Sequence, residues 1–180
     1  MNKDYQSIEK AINWINNLGH QSESLFNRIS AHLQSQHRFE EYSRYAPYYT
    51  KRLFATSYYH MGMKIAENSR YSLDFILFYA PSETITHRLF EKRPALYIMK
   101  IENGTGYLLS FPGQIFNFFS EENSTVEKSG EIFAGKITMD KKASNVQAVE
   151  LDFSLFDDVD IENFLKNSLE SALKKLNPFD

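Results

Sequence analysis

A chain of 180 residues is the usual size of one domain, and its 42% hydrophobic content with a formal charge of only −3 excludes the composition of a disordered segment. The absence of cysteine removes disulfides, thiolate metal sites and a cysteine nucleophile. The longest apolar stretch, Tyr71 to Ala80, falls short of the ~20 residues of a membrane span and carries Asp74, and the N-terminus has no apolar signal-peptide core, so a cytoplasmic protein without membrane attachment is expected.

Tyr5, Ile8, Ala11, Ile12 and Ile15 recur at three- and four-residue spacing, with Trp14 widening the face, and predict a helix over Asp4 to Leu18. Gly19 reads as its left-handed stop. Ser22 or Ser24 then caps a second helix striped by Leu25, Ile29 and Leu33 and running as far as about Tyr42. The short link makes residues 4–43 an N-terminal helical hairpin. From Arg52 to Ile65 the period changes to two and the residues turn aromatic and β-branched, a long strand. Glu67 to Arg70 is a polar turn, and Tyr71 to Tyr79 is the returning strand. Ser82 opens a short helix with Ile85, Leu89 and Phe90 inside, stopped by Pro94.

Ala95 to Glu102 and Thr105 to Phe111 flank Asn103-Gly104, the strongest short-range hairpin signal in the chain. Both faces of this hairpin are apolar, which predicts a central, doubly covered position. Pro112 leads into a short helix carrying Ile115, Phe116, Phe118 and Phe119, and Glu121 to Gly130 reads as a polar loop. Glu131 to Met139 and Asn145 to Phe153 form a third strand pair around Asp140-Lys141-Lys142. Ile161, Phe164, Leu165, Leu169, Ala172, Leu173 and Leu176 stripe a closing helix over 158–176. The expected fold is α+β in a single domain: a mostly antiparallel sheet of about six strands within residues 52–153, with the helical hairpin and the long C-terminal amphipathic helix packed on it.

No complete catalytic or cofactor signature is present. Neither a phosphate-cradling loop nor a GxSxG pattern occurs, and Gly104-Thr105-Gly106 sits in a hairpin turn without a helix N-terminus behind it. His32 and His37 are five residues apart, which does not place them on one helical face. A PD-(D/E)xK nuclease would need a carboxylate two residues before Lys100, where Ile98 stands, so Asp74 reads as a buried, hydrogen-bonded or edge carboxylate. Glu150 and Asp152 alternate away from Val149, Leu151 and Phe153 and read as a solvated strand face. No metal and no cofactor are predicted, and a non-catalytic role is expected.

Function is sought in a lopsided distribution of charge. Residues 1–100 hold 13 Lys and Arg against 9 Asp and Glu, while residues 101–180 hold 7 against 14. All seven Arg and all five His precede position 94. The bias concentrates between His37 and His60, where cations alternate with aromatic rings. Cations neutralise phosphates and exposed rings stack on bases, so the segment predicts a nucleic-acid-binding domain, such as the recognition part of a larger system. Its candidate contacts are Arg38, Arg44, Tyr45, Tyr48, Tyr49, Lys51, Arg52 and Tyr58, supported by Arg88 and Arg93. The alternative is a protein-interaction or inhibitor module acting through the same rings or through Glu121, Glu122, Asp157, Asp158, Asp160 and Glu162. A small-molecule site would have to gather His60, Asp74 and His87 from distant segments.

Overall fold

The computed structural model describes residues 3–35, 39–45, 58–65, 68–78, 85–91, 93–102, 115–139, 142–152 and 161–177. A single helix, α1 (Lys3–Ser35), opens the chain and runs unbroken for 33 residues. Seven strands follow: β1 (Phe39–Tyr45), β2 (Tyr58–Ile65), β3 (Asn68–Phe78), β4 (Ala95–Glu102), β5 (Glu127–Ser129), β6 (Ile132–Met139) and β7 (Lys142–Asp152). They form one sheet in the order β1-β2-β3-β4-β7-β6-β5, antiparallel at every pairing. The chain then closes with α2, residues 161–176, whose middle stretch Phe164–Leu169 is π-helical.

This architecture corrects the expected one in several places, of which the helical hairpin and the strand count are the largest. The N-terminal helical hairpin is one continuous helix, because Gly19 stays helical instead of stopping it. The physical reason lies in the phase of the pattern. Tyr5, Ile8, Ile12, Ile15, Gly19, Ser22, Phe26, Ile29 and Leu33 keep alternating three- and four-residue steps across the glycine. One interior glycine costs only about 1 kcal/mol. Ser22, read as a cap, is instead buried within the helix at 2% exposure.

The second correction is the strand count, seven in place of six. β1 occupies residues expected as helix up to Tyr42, and it pairs with β2 through a register shift between Glu41 and Ser43. β5 lies in the expected polar loop and pairs Glu127, Lys128 and Ser129 with Ala134, Phe133 and Ile132. The expected strand Thr105 to Phe111 and the expected start of β2 at Arg52 lie outside the described residues, but the hairpin expected around Asn103-Gly104 is overturned, because β3 and β7 occupy the two edges of β4. Of the expected helix after Ser82, the described residues 85–90 form a turn and no helix. Its geometry is set by Phe119, whose carbonyl accepts from the N–H groups of both Thr86 and His87 (3.0 and 2.9 Å).

The alternation of each strand divides its side chains between two cores. On one face Met61, Met63, Leu73, Phe75, Leu77, Leu96, Ile98 and Val149 lie under Leu25, Phe26, Ile29 and Leu33 of α1 and under Phe164, Leu165, Leu169, Leu173 and Leu176 of α2. On the other, Ile76, Phe78, Tyr97, Met99, Ile101 and Phe133 lie under Ile85, Phe90, Ile115, Phe118, Phe119 and Val126. The second core is an aromatic cluster, with Phe90 stacked on Phe133 (centroids 4.4 Å apart) and Phe119 edge-on to Tyr97 and Phe78. β4 is central in the sheet and buried on both sides, as expected of this strand of the predicted hairpin. No helix among the described residues is long and apolar enough to cross a membrane.

Beyond the short β5, β6 is met by side chains. Asn123 Nδ2 donates to the Lys136 carbonyl (2.8 Å), and the Lys136 N–H donates to Thr125 Oγ1 (2.9 Å). Thr125 Oγ1 in turn donates to Asn123 Oδ1 at 2.6 Å. Gly135 stands beside this turn, where an added Cβ would come within 3.0–3.2 Å of Val126 and Phe118.

Candidate nucleic-acid interface

Of the residues predicted to bind nucleic acid, Arg38, Tyr48, Tyr49, Lys51 and Arg52 lie outside the described residues. Arg44 and Tyr45 close β1, where they pair with Met61 and His60. Tyr58 opens β2, paired with Phe78. Arg88 is exposed in the turn over residues 85–90. Arg93 is half-buried and already neutralised: its guanidinium reaches Glu91 Oε2 at 3.0 Å and Glu150 Oε1 at 3.1 Å. That pairing also corrects the reading of Glu150 as a solvated face residue, since its side chain is only 12% exposed. β1 and β7 are four strand spacings apart, roughly 19 Å, so Arg44 and the Arg93–Glu150 pair stand on well-separated strands.

His60 and Asp74, named as candidates from distant segments, do meet. His60 Nε2 lies 2.7 Å from Asp74 Oδ1, and Ser72 Oγ donates to Asp74 Oδ2 at 2.9 Å. The register explains the meeting. Gly62 stands opposite Asp74, so no side chain separates Asp74 from His60 on the neighbouring strand. All three groups are buried, Asp74 and Ser72 completely. His87 does not join them; its Nδ1 accepts from the Leu89 N–H and its ring meets Phe90 edge-on. Lys100 is on the opposite face from Asp74, because it pairs with Leu73 while Asp74 pairs with Met99. The carboxylate-plus-lysine geometry of a metal-dependent nuclease is therefore not formed by Asp74 and Lys100. Among the described residues no cluster of three His or carboxylate groups could hold a metal ion.

An open polar concavity lies on the helix-bearing face, at the end of the sheet past the last residue of α2. Two cross-strand rows make its floor. One runs Lys100–Gln147–Ala134 and the other Tyr71–Glu102, then Asn145–Lys136. The apolar residues that would recruit a helix stop at Leu73, Ile98 and Val149, and beyond them the same face turns polar. The result is an open cleft of about 800 Å³ with Thr125 and Glu127 on its far wall.

The floor is tightly organised. Lys100 Nζ donates to the Asn177 carbonyl at 2.7 Å and stands 4.3 Å from the centre of the Tyr71 ring. The Arg70 guanidinium carbon lies 5.2 Å from the same ring. Arg70 Nε and Nη2 both donate to Glu102 Oε1 (3.2 and 2.9 Å), and Asn145 Nδ2 donates to Glu102 Oε2 at 2.6 Å. Hydrogen bonds from Arg70 and then Asn145 hold the Glu102 carboxyl below the usual carboxylate range. The reciprocal bond raises the Arg70 guanidinium, which remains charged at any working pH.

Asn177 takes a left-handed conformation (φ 41°) that ends α2, and this sharp stop leaves its carbonyl where Lys100 can reach it. Sequence reasoning passed over this cleft because no one segment of it is unusual. The available signal was an alternation of polar residues at the same end of three strands: Lys100 and Glu102, Lys136, and Asn145 and Gln147. It becomes a site only once the pairing of β4, β7 and β6 is known. Comparison of the chain with protein-family models, with curated proteins and with solved structures finds no match.

Proposed function

We propose that the chain is a non-catalytic nucleic-acid-binding module that receives its ligand on the open end of the sheet. The observation that supports this reading is the Arg70–Tyr71–Lys100 stack at the floor of an open cleft, clamped by Glu102 and Asn177 before any ligand arrives. A clamped cation loses little further rotamer freedom on binding, which lowers the entropic cost of complex formation. Lys136 adds an exposed cation across the cleft, and the amides of Asn145 and Gln147 lie between. Arg44, Lys51 and Arg52 remain candidates for a second contact region in the same reading.

The test is fluorescence anisotropy at low salt with labelled single- and double-stranded DNA and RNA. Binding to at least one probe is expected, weakened by Lys136→Ala and, if the second region contributes, by the triple variant Arg44→Ala/Lys51→Ala/Arg52→Ala. Absence of binding to every probe would sink the proposal. If a stoichiometric protein partner were then recovered, the interaction-module reading would replace it, with the exposed Glu121 and Glu122 as the first residues to substitute.

A further inference from the structure

We infer that the cleft takes an unpaired strand, held chiefly by base stacking on the Arg70 guanidinium and only weakly by charge. The inference rests on the nucleic-acid reading above and narrows it to one ligand class and one mode of contact.

Charge is the first argument. Three cations line the cleft, but Arg70 is committed to Glu102 and Lys100 to the Asn177 carbonyl. Lys136 alone of the three makes no side-chain ion pair or hydrogen bond among the described residues. Glu102 and Glu127 bring negative charge to the same lining. A duplex carries one charge per ~1.7 Å of axis and is bound mainly by neutralising several phosphates at once. One uncommitted lysine beside two carboxylates does not do that.

Shape is the second argument. Arg70 Nε and Nη2 both donate to one Glu102 oxygen, which together with the Tyr71 ring beside it restrains the guanidinium. One side of that group meets the Tyr71 ring, and the side chain is still 62% exposed. A fixed, exposed, flat cation backed by an aromatic ring is a platform for a base, and bases stack on arginine planes as they do on rings. Such a platform reads only a base whose face is uncovered, which means an unpaired one. The Gln147 side chain, without a partner among the described residues, adjoins Lys100 across the β4–β7 pair and offers a donor and an acceptor to the base edge.

The experiment measures binding of labelled oligo(dA), oligo(rA) and oligo(dT) of about ten nucleotides, and of a duplex of matching length, as a function of salt. Single strands are expected to bind more tightly than the duplex. The slope of log K against log salt is expected to be shallow, about −0.7 to −1.4, as one or two phosphate contacts on a single strand give. Arg70→Ala is expected to weaken single-strand binding about five- to a hundredfold. Arg70→Lys, which keeps the charge and loses the plane, is expected to weaken it nearly as much. Gln147→Ala is expected to reduce discrimination among bases, and a difference between the dA and rA probes would report whether the ribose hydroxyl is read. Circular dichroism and melting curves confirm that each variant is folded.

Duplex binding as tight as single-strand binding, or Arg70→Lys and Gln147→Ala both behaving as wild type, would overturn the inference and leave the broader nucleic-acid reading standing. Failure of every probe would remove both.

Discussion

Asp74 and Glu102 sit on neighbouring strands, on opposite faces of the sheet, and each gathers two side-chain donors onto its two oxygens. For Asp74 they are His60 and Ser72; for Glu102 they are Arg70 and Asn145. The wiring is the same and the surroundings are not. Asp74 is wholly buried within the sheet, while Glu102 looks onto an open cleft with partners that are mostly exposed. In a low-dielectric interior every member of such a network must be satisfied, and removing one leaves the others stranded. At the surface, water substitutes for any partner that is lost, so the same network adds little stability and instead fixes the position of its members. One carboxylate thus belongs to the fold and the other to the site.

Substitutions should separate the two roles. The largest effect is expected from Asp74→Ala, which leaves His60 and Ser72 without their common partner inside the core. A loss of about 3–5 kcal/mol in urea-induced unfolding is the expected outcome; a variant as stable as wild type would show that the cluster is not a cooperative part of the interior.

Tyr97 provides an intermediate case. Its hydroxyl is buried with no partner in good hydrogen-bond geometry although the Glu150 carboxylate stands beside it, and burial, followed by the charge of that cross-strand neighbour, pushes the phenol far up. A group whose folded value is raised contributes stability that is fully present below its unfolded value and is lost as pH rises beyond it. Unfolding free energy should therefore fall as pH climbs above about 10. Tyr97→Phe should remove that alkaline contribution. At neutral pH it should be neutral or stabilise the protein by up to about 1 kcal/mol, since it discards an unsatisfied polar group. A clear destabilisation would mean that the hydroxyl has a partner in solution.

Glu102→Gln is expected to have the smallest effect on stability, leaving the urea midpoint within experimental scatter. Its effect should appear in the position of Arg70. Because the Glu102 carboxyl is held low, the clamp is present above the usual carboxylate range and is lost only as pH falls through the lowered value. Side-chain NMR of the Arg70 Nε–H should show protection persisting below about pH 4.3 in the wild type, and protection already weak at neutral pH in the variant.

Much of the fold was legible in the sequence, for reasons that can be named. Period-two alternation located the bodies of β2, β3, β4, β6 and β7, and the C-terminal stripe located α2, while Asn68 to Arg70 and Lys142, expected in turns, belong to β3 and β7. Two of the features that misled the reading have a plain physical cause. Gly19 is a common helix stop, but a stop also requires the apolar stripe to change phase, and here it does not. The segment Phe39–Tyr45 carries too few apolar residues to declare its period, and it is a strand because β2 has an open edge to pair with. The site was less legible still. His60 and Asp74 were recognisable as residue types but not as neighbours until Gly62 was seen to fall opposite Asp74. The cleft draws on β3, β4, β6 and β7, and pairing between segments so far apart in the chain is information that composition and periodicity do not hold.

The small turn of Asn123 and Thr125 against Lys136 has a consequence for how copies of this protein behave towards one another. A sheet margin with free backbone groups is a template for a second chain, and long bare margins drive edge-to-edge aggregation. Here the backbone groups of Lys136 are already answered by an amide and a hydroxyl. Those two short side chains are a built-in guard against self-association along β6. Replacing Thr125 with valine, which fills the same space without the acceptor, would leave that margin open to a neighbouring molecule.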